Sequence, residues 1–343
     1  IGMYIKNRFF SISTCAVSIC AISLFLLTLF AGGSEAANAK HIIKFGSVGA
    51  DNQPAGIAVN EAGQLLEEKS NGEIDFQVYG NSMLGGDRQI CEGMQIGTVE
   101  AGVVASSVLA AFVPEITILD FPYVFKTEAA ARKALDGELG DELEKLLLQK
   151  GFRILAWGTN GYRHITNNKG PVRSPDDLKG VKIRTMENPL YIDYFRAMGA
   201  NPTPMSFSEL FTALQQRTVD AQETPITIIY PSRLYEVQKY ISFTGHVYAV
   251  APFVMSEQFF QKLPKEYQDL VLEAGKLYEN RERTVTEEAD AGFIEDMKKH
   301  GVEFNELTMD EINVFADLAK PVYEQYVDIV GRNILDLALK SND

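Results

Sequence analysis

From Pro264 to His300 the chain is charged, periodically apolar and free of any further proline. Such a run predicts a single helix, and at about 1.5 Å per residue it reaches past one small domain. Whatever folds around it must use both of its halves. Upstream, the pattern switches repeatedly between the periods of strand and helix. HIIKFGSV (41–48) reads as a short apolar strand ending in small residues, and Ala55, Ala58, Val59, Ala62, Leu65 and Leu66 then recur at the spacing of one helical face. EIDFQVY (73–79) alternates as a strand, GDRQICEGMQIG reads as a helix and VEAGVVAS (99–106) as a strand. This order predicts a parallel sheet covered by helices. A second unit follows: strand FRILAWG (152–158), a short helix opened by Ser174-Pro175-Asp176-Asp177, and strand VKIRTM. Ser206-Phe207-Ser208-Glu209 predicts a capping box at the start of SELFTALQQ. Two α/β units with no low-complexity tether predict two lobes joined by short hinge strands.

The chain carries 46 Asp and Glu against 32 Lys and Arg, a net charge of −14 over 343 residues. That balance argues against nucleic-acid binding, which needs a basic face to displace counterions. The only basic cluster lies at the extreme N-terminus. There, Lys6 and Arg8 precede an apolar stretch from Ile12 to Phe30 and a small-x-small site at Ala37-Asn38-Ala39. We read residues 1–39 as a secretory signal peptide, an uncleaved anchor being the other reading of the same stretch, and expect the rest to be exported to the periplasm. Cys15 and Cys20 fall inside the signal. Cys91 then stands alone, so a disulfide framework within the chain is excluded and a large core must supply stability. Cys91 itself is expected as a small buried apolar residue.

No HExxH, CxxC, GxxxxGK[ST], GxGxxG or GxSxG motif occurs, and His41, His164, His246 and His300 are not paired at metal-helix spacing. Polar residues instead gather in NGYRHITNN (160–168), GVKIRTMENP (180–189), PTPMSFSEL (202–210) and VDAQETP (219–225). In GVKIRTMENP, strand alternation puts Val181 and Ile183 on one face and Lys182 and Arg184 on the other. Arg184 therefore points away from the layer that Val181 and Ile183 bury, onto a solvated face or toward a partner. Arg163 lies between Tyr162 and Ile165. Two arginines near strand ends can converge on one anion, because a guanidinium grips a carboxylate through two parallel hydrogen bonds.

GYRHITNNKGPVRSPDDLKGVKIRTMENP, GANPTPMSFSELFTALQQRTVDAQETP and YEVQKYISFTGH resemble the solute-binding proteins of tripartite ATP-independent periplasmic (TRAP) transporters. NSMLGGDRQICEGMQIGTVE and FVPEITILDFPYVF match the same family in the first unit. The resemblance implies an α/β, two-lobed periplasmic binding protein fold, each lobe a mixed sheet covered by helices, with the long helix crossing both. The first lobe is expected over 40–160 and 249–288, the second over 161–248 and 289–343. The resemblance further implies that Arg184 grips a ligand carboxylate, that Arg163 supports it, and that Phe207 packs against the ligand. Thr224 stands where the family commonly has asparagine, so one hydroxyl replaces a separate donor and acceptor. Gln222 and Glu223 brace Arg184 from behind, while Asn188, Asp87, Arg88 and Gln53 complete the expected ligand-binding set.

The first-lobe positions that give polar contacts in sialic-acid binders are matched here by Val48, Ala105 and Val108, so a sialic acid is not expected. Thr224 also departs from the tryptophan of the keto-acid branch, and neither a bound metal nor any cofactor is expected. The less polar first-lobe positions suit an apolar or aromatic carboxylate, whereas Gln53, Asn81, Arg88 and Gln89 suit a sugar acid such as a hexuronate; the reading leans to a sugar or hydroxy acid. A monomer that delivers a small carboxylate to TRAP membrane subunits is the expectation. Its rivals are a ligand-sensing subunit docked on a receptor, and an exported enzyme in which His164 beside Arg163 acts as general base.

Overall fold

A computed structural model describes residues 40–342; the expected signal over 1–39, with Cys15 and Cys20, lies outside them. The chain opens with strands β1 (His41–Ser47), β2 (Ile74–Tyr79), β3 (Ala101–Val103) and β4 (Phe152–Ala156). It continues through β5 (Thr159–Asn167), β6 (Lys182–Thr185), β7 (Asn201–Pro204), β8 (Ala221–Pro225), β9 (Tyr240–Phe243) and β10 (Tyr248–Val250). The last two are β11 (Phe253–Ser256) and β12 (Glu303–Glu306). They form two mixed sheets, one for each lobe: β2-β1-β3-β11-β4 and β12-β9-β5-β8-β6-β7, with β10 added on β5.

In the first sheet β1 runs parallel to both neighbours, with Phe45 opposite Ala101 and Ser47 opposite Val103. Ile43, Phe45, Ile74 and Phe76 are buried, while Ile42, the residue before Ile43, is 44% exposed, as period-two alternation requires. In the second sheet β6 is parallel to β7 and β8, and β5 is antiparallel to β8. The parallel strands of each sheet thus end at one edge. In open α/β sheets that edge is where ligands bind.

The long helix is Lys265–Lys299. Val271, Ala274 and Tyr278 pack with Ala58, Val59 and Phe253 in the first lobe, while Met297 packs with Leu210 and Ile241 in the second. Its approach to β4 is so close that a Cβ on Gly275 would lie 2.4 Å from the carbonyl oxygen of Leu155. Midway along it, Glu282 is fully buried and accepts from the Thr286 hydroxyl at 2.9 Å and from the backbone N–H of Thr159, the first residue of β5, at 3.4 Å. Cys91 is buried in the core with Ile90 and Met94.

Three local expectations change. VEAGVVAS is strand only over Ala101–Val103, and Ser106–Leu109 turns into a short helix. Helix Phe207–Gln215 begins where expected, but Ser206 makes no side-chain cap; its hydroxyl pairs with that of Ser208 at 3.0 Å. The C-terminal segment divides between the lobes: Met309–Tyr323 packs on Pro189–Ala197 of the second, whereas Arg332–Lys340 packs on Glu128–Leu135 and Glu138–Gln149 of the first. Among the described residues no helix is long and apolar enough to cross a membrane.

Candidate functional site: a cleft at the strand ends

A small cavity, about 60 Å³ in volume, lies between the C-terminal edges of the two sheets. Ser47, at the end of β1, and Val103, its partner at the end of β3, floor it from the first lobe; Thr224 at the end of β8 and Met186 just past β6 wall it from the second. Antiparallel pairing sets Arg163 of β5 opposite Pro225 and so brings it to the same place. Half-buried Phe207, at the first turn of its helix, closes one side.

Arg184 is 1% exposed, so the solvated-face reading of that strand does not hold. Its Nε and Nη2 donate to the carbonyl of Met205 at 3.0 and 2.8 Å, while Nη1 meets only the weakly accepting thioether of Met186 at 3.5 Å. The guanidinium sits 6.0 Å from the centre of the Phe207 ring. Met186 and Phe207 both face the cavity, so Arg184 stands immediately behind its wall. Among the described residues no carboxylate lies within 4.0 Å of it, and burial draws its pKa down to about 10, leaving it charged at neutral pH.

Arg163 is spent differently. Its Nε and Nη2 grip the carboxylate of Glu223, and Nη2 also donates to the Glu223 carbonyl at 2.7 Å. Glu223 thus braces Arg163, not Arg184 as the sequence suggested. His246 completes the cluster: its Nε2 lies 3.1 Å from Glu223 and its Nδ1 2.8 Å from the Thr244 hydroxyl. The carboxylate places the ring proton on Nε2, and burial keeps the imidazole neutral by lowering its pKa. Burial alone would raise Glu223, but Arg163 and the His246 hydrogen bond outweigh it and hold the carboxyl at about 2.

Across the cavity Asp87, at the first turn of helix Asp87–Ile96, is 8% exposed and its Oδ1 has no hydrogen-bond partner. Burial raises it to about 7, with Arg184 pulling the other way. Gln53 also lines the cavity and reaches across its mouth to the Ser232 hydroxyl at 3.2 Å. Deeper, Asp120 of the first lobe accepts from Ser106 and, across the lobes, from the Tyr191 hydroxyl, both at 3.1 Å.

Burial raises Asp120 to about 7, against the pull of Arg163, from an ordinary value near 3.8. Because the folded form holds the proton more tightly, its contribution is full below pH 3.8 and is lost as pH rises through about 7. Asp120→Asn keeps the accepting oxygen and removes the ionisation. In urea melts the variant should therefore gain on the parent progressively from pH 4 to 7.5; parallel pH profiles would refute this account of Asp120.

The remaining sequence candidates lie elsewhere. Gln222 donates to the Thr166 hydroxyl at 3.0 Å inside the second lobe. Asn188 caps helix Pro189–Ala197 and donates to the Ser107 carbonyl at 3.3 Å, and both it and Arg88 line a separate hollow. Val48 and Ala105 face the cavity, whereas Val108 is core. His164 faces a hollow behind the hinge, its Nδ1 is taken by the Gly245 N–H at 3.2 Å, and burial drives its pKa down to about 3; it is not placed as a base toward the cleft. Sequence reasoning missed Asn160 and Ile228 as cavity residues. Among the described residues no cluster of three His, Cys, Asp or Glu is arranged to hold a metal.

The family model for bacterial extracellular solute-binding proteins, family 7 (DctP), matches residues 45–328. The chain belongs to this family. Its resemblance to the TRAP solute-binding proteins is thereby accounted for, and as a family 7 solute-binding protein it is not an enzyme. It is similar to the 2,3-diketo-L-gulonate-binding periplasmic protein YiaO of Escherichia coli, 34% identical over 307 residues covering 90% of each chain. The sugar acid binding protein DctPAm of Advenella mimigardefordensis, solved with galactonate, superposes with a TM-score of 0.85 at 32% identity, covering 88% of this chain and 98% of that one. A TRAP periplasmic solute-binding protein of Sulfurospirillum deleyianum, solved with succinate, gives 0.84 at 29% identity with the same coverage. Family 7 proteins of this kind share the two-lobed architecture described above.

Proposed function

We propose that this protein captures a small hydroxylated carboxylate, a sugar acid or hydroxy acid, between its lobes in the periplasm and, as a monomer, hands it to the membrane subunits of a TRAP transporter. The observation that carries this reading is Arg184. A fully buried cation is costly unless paired, and its Nη1 edge, held against Met186 beside the cavity, meets no oxygen acceptor. A ligand carboxylate reaching that edge, with Met186 giving way, is the partner it lacks. Arg163 adds a positive field but keeps Glu223 as its own counterion. Phe207 supplies an apolar wall and the Thr224 hydroxyl one polar contact.

Asp87 decides between classes of acid. Its Oδ1, unpartnered on a residue that lines the cavity, suits a hydroxyl donor, and in its ionised form the carboxylate repels a second one. Among the relatives, YiaO and DctPAm are named for a diketogulonate and a galactonate, both polyhydroxylated acids, while the Sulfurospirillum deleyianum protein holds the dicarboxylate succinate, so the choice between the classes rests on Asp87. A thermal-shift screen of the purified protein against aldonates, uronates, keto acids, dicarboxylates and aromatic acids tests this. An aldonate or uronate at a hundred times its Kd should stabilise the fold by about 2.7 kcal/mol. A response to dicarboxylates or aromatic acids alone would overturn the ligand class, and no response to any acid would overturn the carboxylate reading.

A further inference from the structure

Behind the hinge, on the side where His164 lies, a second hollow of about 620 Å³ is bounded by both lobes and the middle of the long helix. Its size falls within the range of small-molecule sites. Much of the wall is apolar, with Phe125, Phe243, Ile312 and the strongly exposed Met309 contributing. Two polar atoms in it are buried without any hydrogen-bond partner: the Tyr162 hydroxyl and Oδ1 of Asp290. Buried polar atoms are nearly always satisfied, and two orphans in one cavity call for a common explanation.

The charges around them show what would satisfy both. Glu128 and Glu287 also face the hollow, and the guanidinium of Arg132 is already divided between them. Asp290 has no such cation among the described residues. Burial, reinforced by the Glu128 charge, raises it to about 6, so at neutral pH it is an ionised carboxylate facing other carboxylates. Lys126 lines the hollow too but forms no ion pair among the described residues. Tyr162, raised to about 12 by burial and Glu128, keeps its proton and offers its oxygen lone pairs as acceptors. The hollow therefore combines an apolar body with an acceptor-lined acidic end, the reverse of the arginine-lined cleft in front.

We propose that this rear hollow binds a small organic ammonium, a primary amine on an aromatic or alkyl body, with the ammonium group donating to Asp290 and Tyr162 and the body lying against Phe243 and Ile312. An ammonium carries three donors and a positive charge, which matches the ionised Asp290 better than a hydroxyl or a carboxylate does and leaves a donor for the Tyr162 oxygen. The body would remove exposed apolar surface at Met309 from water. Such a ligand touches the hinge and the shared helix but none of the cleft residues.

Phenethylamine, with 2-phenylethanol as the uncharged probe of the same shape, tests the assignment on the purified protein. In two-dimensional amide NMR the amine should shift Gly161, Gly245 and Thr286 saturably, and the alcohol should bind at least about tenfold more weakly, the worth of one charge-assisted hydrogen bond. Asp290→Asn should bring the amine down to the level of the alcohol, and Tyr162→Phe should weaken it by less; both are checked for native circular dichroism and melting. Amine shifts confined to the cleft, no saturable shift at all, or an Asp290→Asn protein that binds the amine like the parent would overturn the proposal.

Discussion

Arg184→Ala should lose the response to organic acids while still folding. Truncating one partner of a buried, hydrogen-bonded charge pair costs about 2–5 kcal/mol, or roughly thirty- to several-thousand-fold in Kd. The unliganded fold has less to lose, because Arg184 has no carboxylate partner among the described residues and its two oxygen contacts both go to the Met205 carbonyl. Arg184→Lys separates charge from geometry. An ammonium keeps the attraction but not the planar fork, so it should bind more weakly than the parent and more tightly than Arg184→Ala. Calorimetric titration with the acid found in the screen, alongside melting of each unliganded variant, checks both. An Arg184→Ala protein that binds like its parent would move the anchor to Arg163 and remove the observation on which the functional reading stands.

Glu223→Gln should do the opposite and damage the fold itself. Glu223 is fully buried and is, among the described residues, the sole carboxylate gripping Arg163, so neutralising it strands a buried guanidinium. Breaking such a pair from one side costs about 3–5 kcal/mol, equivalent to a fall in melting temperature on the order of 10 °C. Replacing both partners together, Arg163→Met with Glu223→Leu, should cost less than Glu223→Gln alone, since no uncompensated charge remains. The pH dependence has a definite sign. Glu223 is depressed to about 2 from an ordinary value near 4.5, so its contribution is complete above 4.5 and is lost as pH falls toward 2. Acid melts in which Glu223→Gln and the parent converge at low pH would bear this out; an unchanged melting point at neutral pH would refute it.

The strands and the long helix were legible because their apolar periods are regular: Ile43 and Phe45 in β1, Ile183 in β6, and an unbroken helix after Pro264 all lie where the pattern puts them. Alternation told which way Arg184 leaves its strand but not that the second face of the sheet is covered as well. That covering comes from the Met205 segment, whose carbonyl takes two of the guanidinium's donors and whose position the strand cannot encode. The bond between Arg163 and Glu223 was misassigned because it depends on the antiparallel register of β5 on β8, which juxtaposes residues far apart in sequence. Asn160 lies in a polar stretch that does not single it out, and Ile228 carries no local signature; they face the cavity because β5 begins, and the short helix Ile226–Ile229 runs, beside it.

The long helix also bears on how the molecule comes apart. It packs on helix Pro54–Lys69 and β4 in one lobe and on Ile226–Ile229 and β5 toward the other, so each lobe borrows part of its core from the same rod. Melting either lobe uncovers a face of that rod and withdraws support from its neighbour. The shared rod should therefore couple the melting of two sheets that could each have been a separate folding unit.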